Sequence, residues 1–196
     1  YVTDRQAKAV RRVTIDSSQF HIGVVETVCE LLPDRPAGLA LDIECATLLV
    51  ACGAQIVAVK MRGTGEWTSA VSKAGACFFG VAIAPSDLAD FSRALFAVDH
   101  SGNAVLCSKR VVSDEAQFEP LLQVLAGGNS ERPCSGLSSA WYEGTGPKVG
   151  LWGPTFCTFA RGTLIFSNSG QGAFGKVTHT HTHAHTHAHT HAHTHT

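Results

Sequence analysis

The sequence predicts an α+β fold, an antiparallel sheet with two main amphipathic helices, and three observations carry that expectation. Three apolar stretches read as strands and follow one another with connections of two or three residues, at 38–44, 47–52 and 55–62. Apolar residues recur at helical spacing in two other stretches, Phe20/Val24/Val28/Leu31 and Leu88/Phe91/Leu95/Val98. Apolar residues make up 44% of the 196 positions and charged ones only 16%, which is enough to bury a core.

The elements follow in order. Residues 10–16 (VRRVTID) read as a short strand. Ser17 and Ser18 are N-cap candidates for a first helix of about 14 residues. Val25, Cys29 and Leu32 widen its apolar stripe, and Pro33 with the turn-forming PDRPAG ends it. GLALDIE (38–44), TLLVAC (47–52) and QIVAVKMR (55–62) then form an antiparallel meander. A loop opens at 63–65, and ACFFGVAI (76–83) is a further strand. Pro85 and Ser86 begin the second helix, where Asp87 suits the positive N-terminal end. HSGN (100–103) is a turn and AVLCSKRVV (104–112) a strand. A third helix is expected over 114–125, with Phe118, Leu121, Leu122 and Leu125 on one face and Pro120 in its first turn. Residues 148–168 read as two or three short strands with Phe156, Phe159 and Phe166 as packing residues. No internal repeat is evident. The expected organisation is an α+β domain at 1–126, a linker at 127–136 (GGNSERPCSG), a short β-rich extension at 137–177 and a low-complexity tail at 178–196.

Charge and cysteine usage narrow the function classes. The formal net charge of −1 excludes a strongly basic nucleic-acid binder of the histone type. No apolar run is long enough for a membrane-spanning helix. The seven cysteines (Cys29, Cys45, Cys52, Cys77, Cys107, Cys134 and Cys157) contain no C-x-x-C and sit mostly among aliphatic residues. They read as structural thiols of an intracellular protein, and no signal peptide is visible. The tail places His179, His181, His183, His185, His187, His189, His191, His193 and His195 at every second position. Such a strip binds Zn, Ni or Cu loosely and in a pH-dependent way. Alternating His/Thr/Ala is also what a translated CA-dinucleotide repeat encodes, or an artificial purification tail. Outside the tail no cofactor is expected, and the core offers no clustered zinc ligands.

The order strand, helix, three-strand meander, strand, helix, strand over 10–112 resembles one half of a sliding-clamp subunit. That is the family of proliferating cell nuclear antigen and the checkpoint clamps. The FHIGVVETVCELL stretch, the GLALDIE/TLLVAC/QIVAVKM strands and GVAIAPSDLADFSRAL carry the likeness. The resemblance implies a ring of such half-units around duplex DNA, built with other protein subunits, in the nucleus. It implies a non-catalytic DNA-clamp-like or scaffold subunit acting in DNA repair or replication. The helices depart from the family, which presents lysines and arginines to phosphates. The first offers Glu26 and Glu30 with His21, and the second Asp87 and Asp90 against Arg93. That departure suits a checkpoint-type subunit better than a replication clamp.

A second reading starts from Asp42 and Glu44. A strand bearing Asp-x-Glu resembles the opening motif of the DEDD-type 3′–5′ exonucleases, in which such carboxylates hold Mg²⁺ or Mn²⁺ for in-line displacement. Two apart on a strand, both side chains share one face. The chemistry needs two further aspartates and a His or Tyr base. Asp90, Asp99 and Asp114 are available, but none stands in the family's later motifs. Asp42 and Glu44 are equally the outward polar positions of a strand whose Leu39, Leu41 and Ile43 point inward. A third reading is a generic protein-interaction domain with an aromatic patch at Trp141–Tyr142. Trp67, Trp141 and Trp152 read as core or interface residues. Gly63–Gly65 and Gly144–Gly146 complete no phosphate loop, no G-x-S-x-G occurs, and Cys107 near His100 suggests no dyad.

Overall fold

The computed structural model describes residues 1–16, 21–61, 65–88, 91–111, 115–119, 123–128, 151–169 and 173–178. They form fourteen strands, and among them there is no α-helix. The first sheet comprises β1 (Val2–Asp4), β2 (Ala9–Asp16) and β3 (His21–Cys29). The second comprises β4 (Pro36–Asp42), β5 (Thr47–Cys52), β6 (Gln55–Lys60) and β7 (Trp67–Ser72). The third comprises β8 (Phe78–Ile83), β9 (Leu95–Asp99), β10 (Ala104–Ser108) and β11 (Gln123–Gly127). The fourth comprises β12 (Pro154–Ala160), β13 (Thr163–Asn168) and β14 (Ala173–Thr178). Every sheet is an antiparallel meander whose strands pair in chain order.

The sheets stack face to face, and each interface is one apolar core. Val10, Cys29 and Leu32 of the first sheet and its exit meet Leu48, Val50, Val57 and Val59 of the second. Leu49, Ala51, Ile56 and Ala58 meet Val81, Leu95, Ala97 and Leu106 of the third. Phe96, Val98, Val105 and Cys107 meet Cys157, Leu164 and Phe166 of the fourth. Alternate residues of β5, β6, β9 and β10 therefore face opposite cores, which is why TLLVAC is buried along its whole length. Each such Leu or Val contributes roughly 1.5–3 kcal/mol relative to exposure. The first strands lie side by side, β1 by β4, β4 by β8 and β8 by β12. Consecutive meanders with adjacent first strands are the architecture of a β-propeller arc.

The chain is all-β where it is described, not α+β, and neither expected main helix forms there. The stretch expected as the first helix is β3, paired with β2 through Val13↔Val25 and Arg12↔Glu26. Its β-branched residues favour a pleated ladder over a helix once a partner strand is present. The second expected helix is replaced, where it is described, by turns at 86–87 and 91–93, a left-handed Arg93 (φ 55°), and then β9. Leu95 faces the second sheet and Val98 the fourth, so their spacing never described one helical face. Within 114–125, Phe118 bridges Arg110 and the chain continues into β11. Both stretches that the clamp resemblance would turn toward DNA are non-helical wherever they are described. The expected strands at 10–16, 38–44, 47–52, 55–62 and 76–83 coincide with β2, β4, β5, β6 and β8 within a few residues. Nearly all of the expected linker, Cys134, Trp141–Tyr142, Gly144–Gly146 and the histidine tail lie outside the described residues.

The unnoticed repeat is structural. Pro36, Phe78 and Pro154 open the first strands and pair with Cys52, Asp99 and Asn168, the last residues of the second strands. A bulge follows each of these pairs, and pairing then resumes at Leu39↔Val50, Gly80↔Val98 and Cys157↔Phe166. A five-residue register also recurs at three hairpins, Asp4↔Ala9, Asp42↔Thr47 and Asp99↔Ala104. In each, an aspartate carboxylate accepts the amide three residues on, from Ala7 (3.0 Å), Cys45 (3.4 Å) or Gly102 (3.0 Å). Lys8, Ala46 and Asn103 then take the left-handed conformation (φ 49°, 47° and 48°) that returns the chain.

Candidate functional site

Asp42 ends β4 in one of these turns, and the fold buries it between two arginines. Arg110, just past β10, pairs with its Oδ2, and Arg93 Nη2 stands 3.5 Å from its Oδ1. The side chains of Asp42 and Arg110 are only 3% and 5% exposed. Arg93 Nη1 also binds Glu44 Oε2 at 3.0 Å. Arg93 Nη2 lies 2.8 Å and Arg110 Nη1 3.4 Å from Cys45 Sγ. Arg110 further donates to Glu115 O (2.6 Å) and stacks its guanidinium 4.8 Å from the Phe118 ring. Burial works against the charge of Arg93, but Asp42, Cys45 and Glu44 outweigh it and hold the guanidinium above its ordinary range.

The two sequence-predicted carboxylates are thus brought together by Arg93, Asp42 at the strand end and Glu44 in the turn. Their charges are matched by guanidiniums from the third sheet, which pins the second sheet to it. Asp99 stands elsewhere, at the end of β9. It accepts from Lys73 Nζ (2.8 Å), the amides of Cys77 and Gly102 (both 3.0 Å) and Ser101 Oγ (2.9 Å). Burial raises its carboxyl, and these donors more than offset that, holding it below the usual carboxylate range. Asp90 and Asp114 lie outside the described residues. Among the described residues no three His, Cys, Asp or Glu side chains gather as a metal site. His100 stacks on Phe79 (centroids 4.8 Å apart) with Nδ1 3.2 Å from Pro154 O, whereas Cys107 sits in the core against the fourth sheet.

Arg110 escaped the sequence reading, and Arg93 entered it only as a lone base. Their partners are 51 and 68 residues away in sequence, so no local periodicity marks them. The described cysteines form no disulfide with one another: Cys29, Cys52, Cys107 and Cys157 are buried, Cys45 and Cys77 partly so. Burial pushes the thiols of Cys52, Cys107 and Cys157 up to about 12. The polar groups are mostly satisfied internally while several large apolar side chains are not covered. Ile15, Val24, Val25, Leu31, Ile43, Val111 and Phe156 are each more than half exposed. Ile43 and Val111 directly adjoin Asp42 and Arg110 in sequence.

No model of a protein family matches the chain, and no curated protein matches it. Among solved structures, a chain of one titled "Crystal structure of Nidogen/Laminin Complex" is similar, with a TM-score of 0.55 and 15% identity. The likeness covers 86% of this chain and 57% of that one, and it shows the fold alone. Among the described residues no helix is long and apolar enough to cross a membrane. The likeness thus extends to the antiparallel all-β architecture of the described residues.

Proposed function

We propose that the protein is a non-catalytic scaffold that holds other proteins on the rims of a rigid stack of sheets. One observation carries the reading: the fold keeps its buried charges for itself and leaves large apolar side chains outside. Ile43 at 77% exposure and Val111 at 61% stand beside the Asp42–Arg110 pair, which fixes the loops that present them. Exposed apolar groups on rigid supports are what an interface uses as anchors. The similar solved structure is titled as a complex of two proteins, which accords with a binding role at the level of fold. The Asp42 cluster does not favour metal-assisted strand cleavage, since guanidinium groups hold both oxygens of Asp42.

The test is affinity capture followed by reconstitution with the purified partner. Ile43→Ser with Val111→Ser is expected to weaken that defined complex at least tenfold while the thermal transition is retained. Metal-dependent degradation of a labelled single strand, lost in a folded Glu44→Gln variant, would overturn the scaffold reading and establish the nuclease one.

A further inference from the structure

The outer edges of the first two sheets enclose a groove. β3 is the last strand of the first sheet and β7 the last of the second. Between them lies a cleft of about 600 Å³, lined chiefly by Thr27, Val28, Glu30, Leu31, Glu66 and Trp67. Its floor continues the core between the two sheets, because Val28 and Trp67 both pack on that core. Leu31 rises from the floor at 84% exposure and in the left-handed conformation (φ 56°). A non-glycine residue rarely adopts that conformation, and two bonds hold it here. Trp67 Nε1 donates to Leu31 O (3.2 Å), and Leu32 N donates to Lys8 O (3.0 Å). The leucine is thus pinned outward.

The groove is acidic. Glu30 and Glu66 are exposed, and no ion pair among the described residues engages either. Arg11 donates to the hydroxyl of Thr27, which lines the groove, and is paired with Asp4 at 3.3 Å. Two carboxylates without an ion-pair partner among the described residues, above an apolar floor and between two sheet edges, select an extended partner. We propose that this groove binds an extended segment of another protein in which an apolar side chain is flanked by lysine or arginine. The apolar side chain seats against Leu31, Val28 and Trp67, and the flanking cations meet Glu30 and Glu66. The inference rests on the scaffold reading above and assigns it a partner chemistry.

The probe is a fluorescein-labelled peptide alternating lysine with leucine, followed by anisotropy with the whole chain. Control peptides carry glutamate for lysine or serine for leucine. The lysine–leucine peptide is expected to bind and both controls to lose at least tenfold in affinity. Glu30→Gln with Glu66→Gln is expected to weaken binding at least tenfold and to flatten its salt dependence. Leu31→Gly keeps the left-handed backbone, removes the knob, and is expected to weaken binding similarly. Phe156→Ser, on the fourth sheet, leaves it unchanged. Equal binding by the double-glutamine or glycine variant, or by the glutamate peptide, overturns the proposal, as does absence of binding by the lysine–leucine peptide. A partner that is instead lost on Ile43→Ser with Val111→Ser would leave the scaffold standing while the groove assignment falls.

Discussion

Gly80 of β8 lies directly against the backbone of Cys157 in β12. A Cβ built on Gly80 would stand 2.9 Å from Cys157 N and 3.0 Å from Phe156 Cα. Gly38 holds the same place in β4, where a Cβ would meet Phe79 O at 2.5 Å. The two glycines let neighbouring first strands approach backbone to backbone, so they set the spacing of the stack. At the equivalent position of β12 stands Phe156, which is 54% exposed.

Gly80→Ala and Gly38→Ala are therefore expected to cost about 3 kcal/mol each, since only backbone movement relieves the overlap. Gly75→Ala is the comparison. That glycine has φ 75° but nothing within 4 Å of its Cβ, so its cost is backbone strain alone, about 1 kcal/mol. Urea unfolding of the three variants checks the difference. Equal midpoints would refute the close approach.

Asp42→Ala is expected to destabilise the chain by about 3–5 kcal/mol, because it leaves Arg110 buried without its carboxylate. Arg110→Ala should cost a similar amount for the converse reason. The double variant should fall well short of the sum, as the second substitution removes the charge that the first left stranded. Additive losses would show that the pair is not coupled.

How far the sequence disclosed this fold depends on which signal each strand carries. β4, β5 and β6 were legible because their turns are short and their apolar runs unbroken. β3 and β9 were not. In β3, Val24 and Val28 mimic a helical stripe, and the pairing with β2 that makes them a strand is invisible locally. In β9, burial on both faces erases the alternation that separates strand from helix. The repeat was hidden by its connections: the first and second strands are joined by 43–46, 84–94 and 161–162 in successive sheets. At the candidate site Asp42 and Glu44 were legible as a carboxylate pair. Their environment was not, since it is supplied by arginines from a different sheet.

Asp99 links stability to pH. Its carboxyl is held below the ordinary range in the folded chain, so its contribution is complete above the unfolded value, near ~4. The contribution is lost as pH falls through the lower, folded value. Asp99→Asn is thus expected to be less stable at neutral pH but to lose less on acidification below about pH 4. Parallel stability–pH curves for the two proteins would show that Lys73, Cys77 and Gly102 do not hold the carboxylate.

The thiols should separate by burial under alkylation. Cys157 is packed between the third and fourth sheets, and burial pushes it, Cys52 and Cys107 up to about 12, so thiolate is scarce at pH 8. Cys45 differs in exposure and surroundings. It is partly exposed, and its Sγ faces the guanidinium groups of Arg93 and Arg110, at 2.8 Å and 3.4 Å. Iodoacetamide at pH 8, read by peptide mass spectrometry, is expected to label Cys45 at least tenfold faster than Cys52, Cys107 or Cys157. Labelling of Cys157 as fast as Cys45 would mean that the fourth sheet does not stay closed on the third.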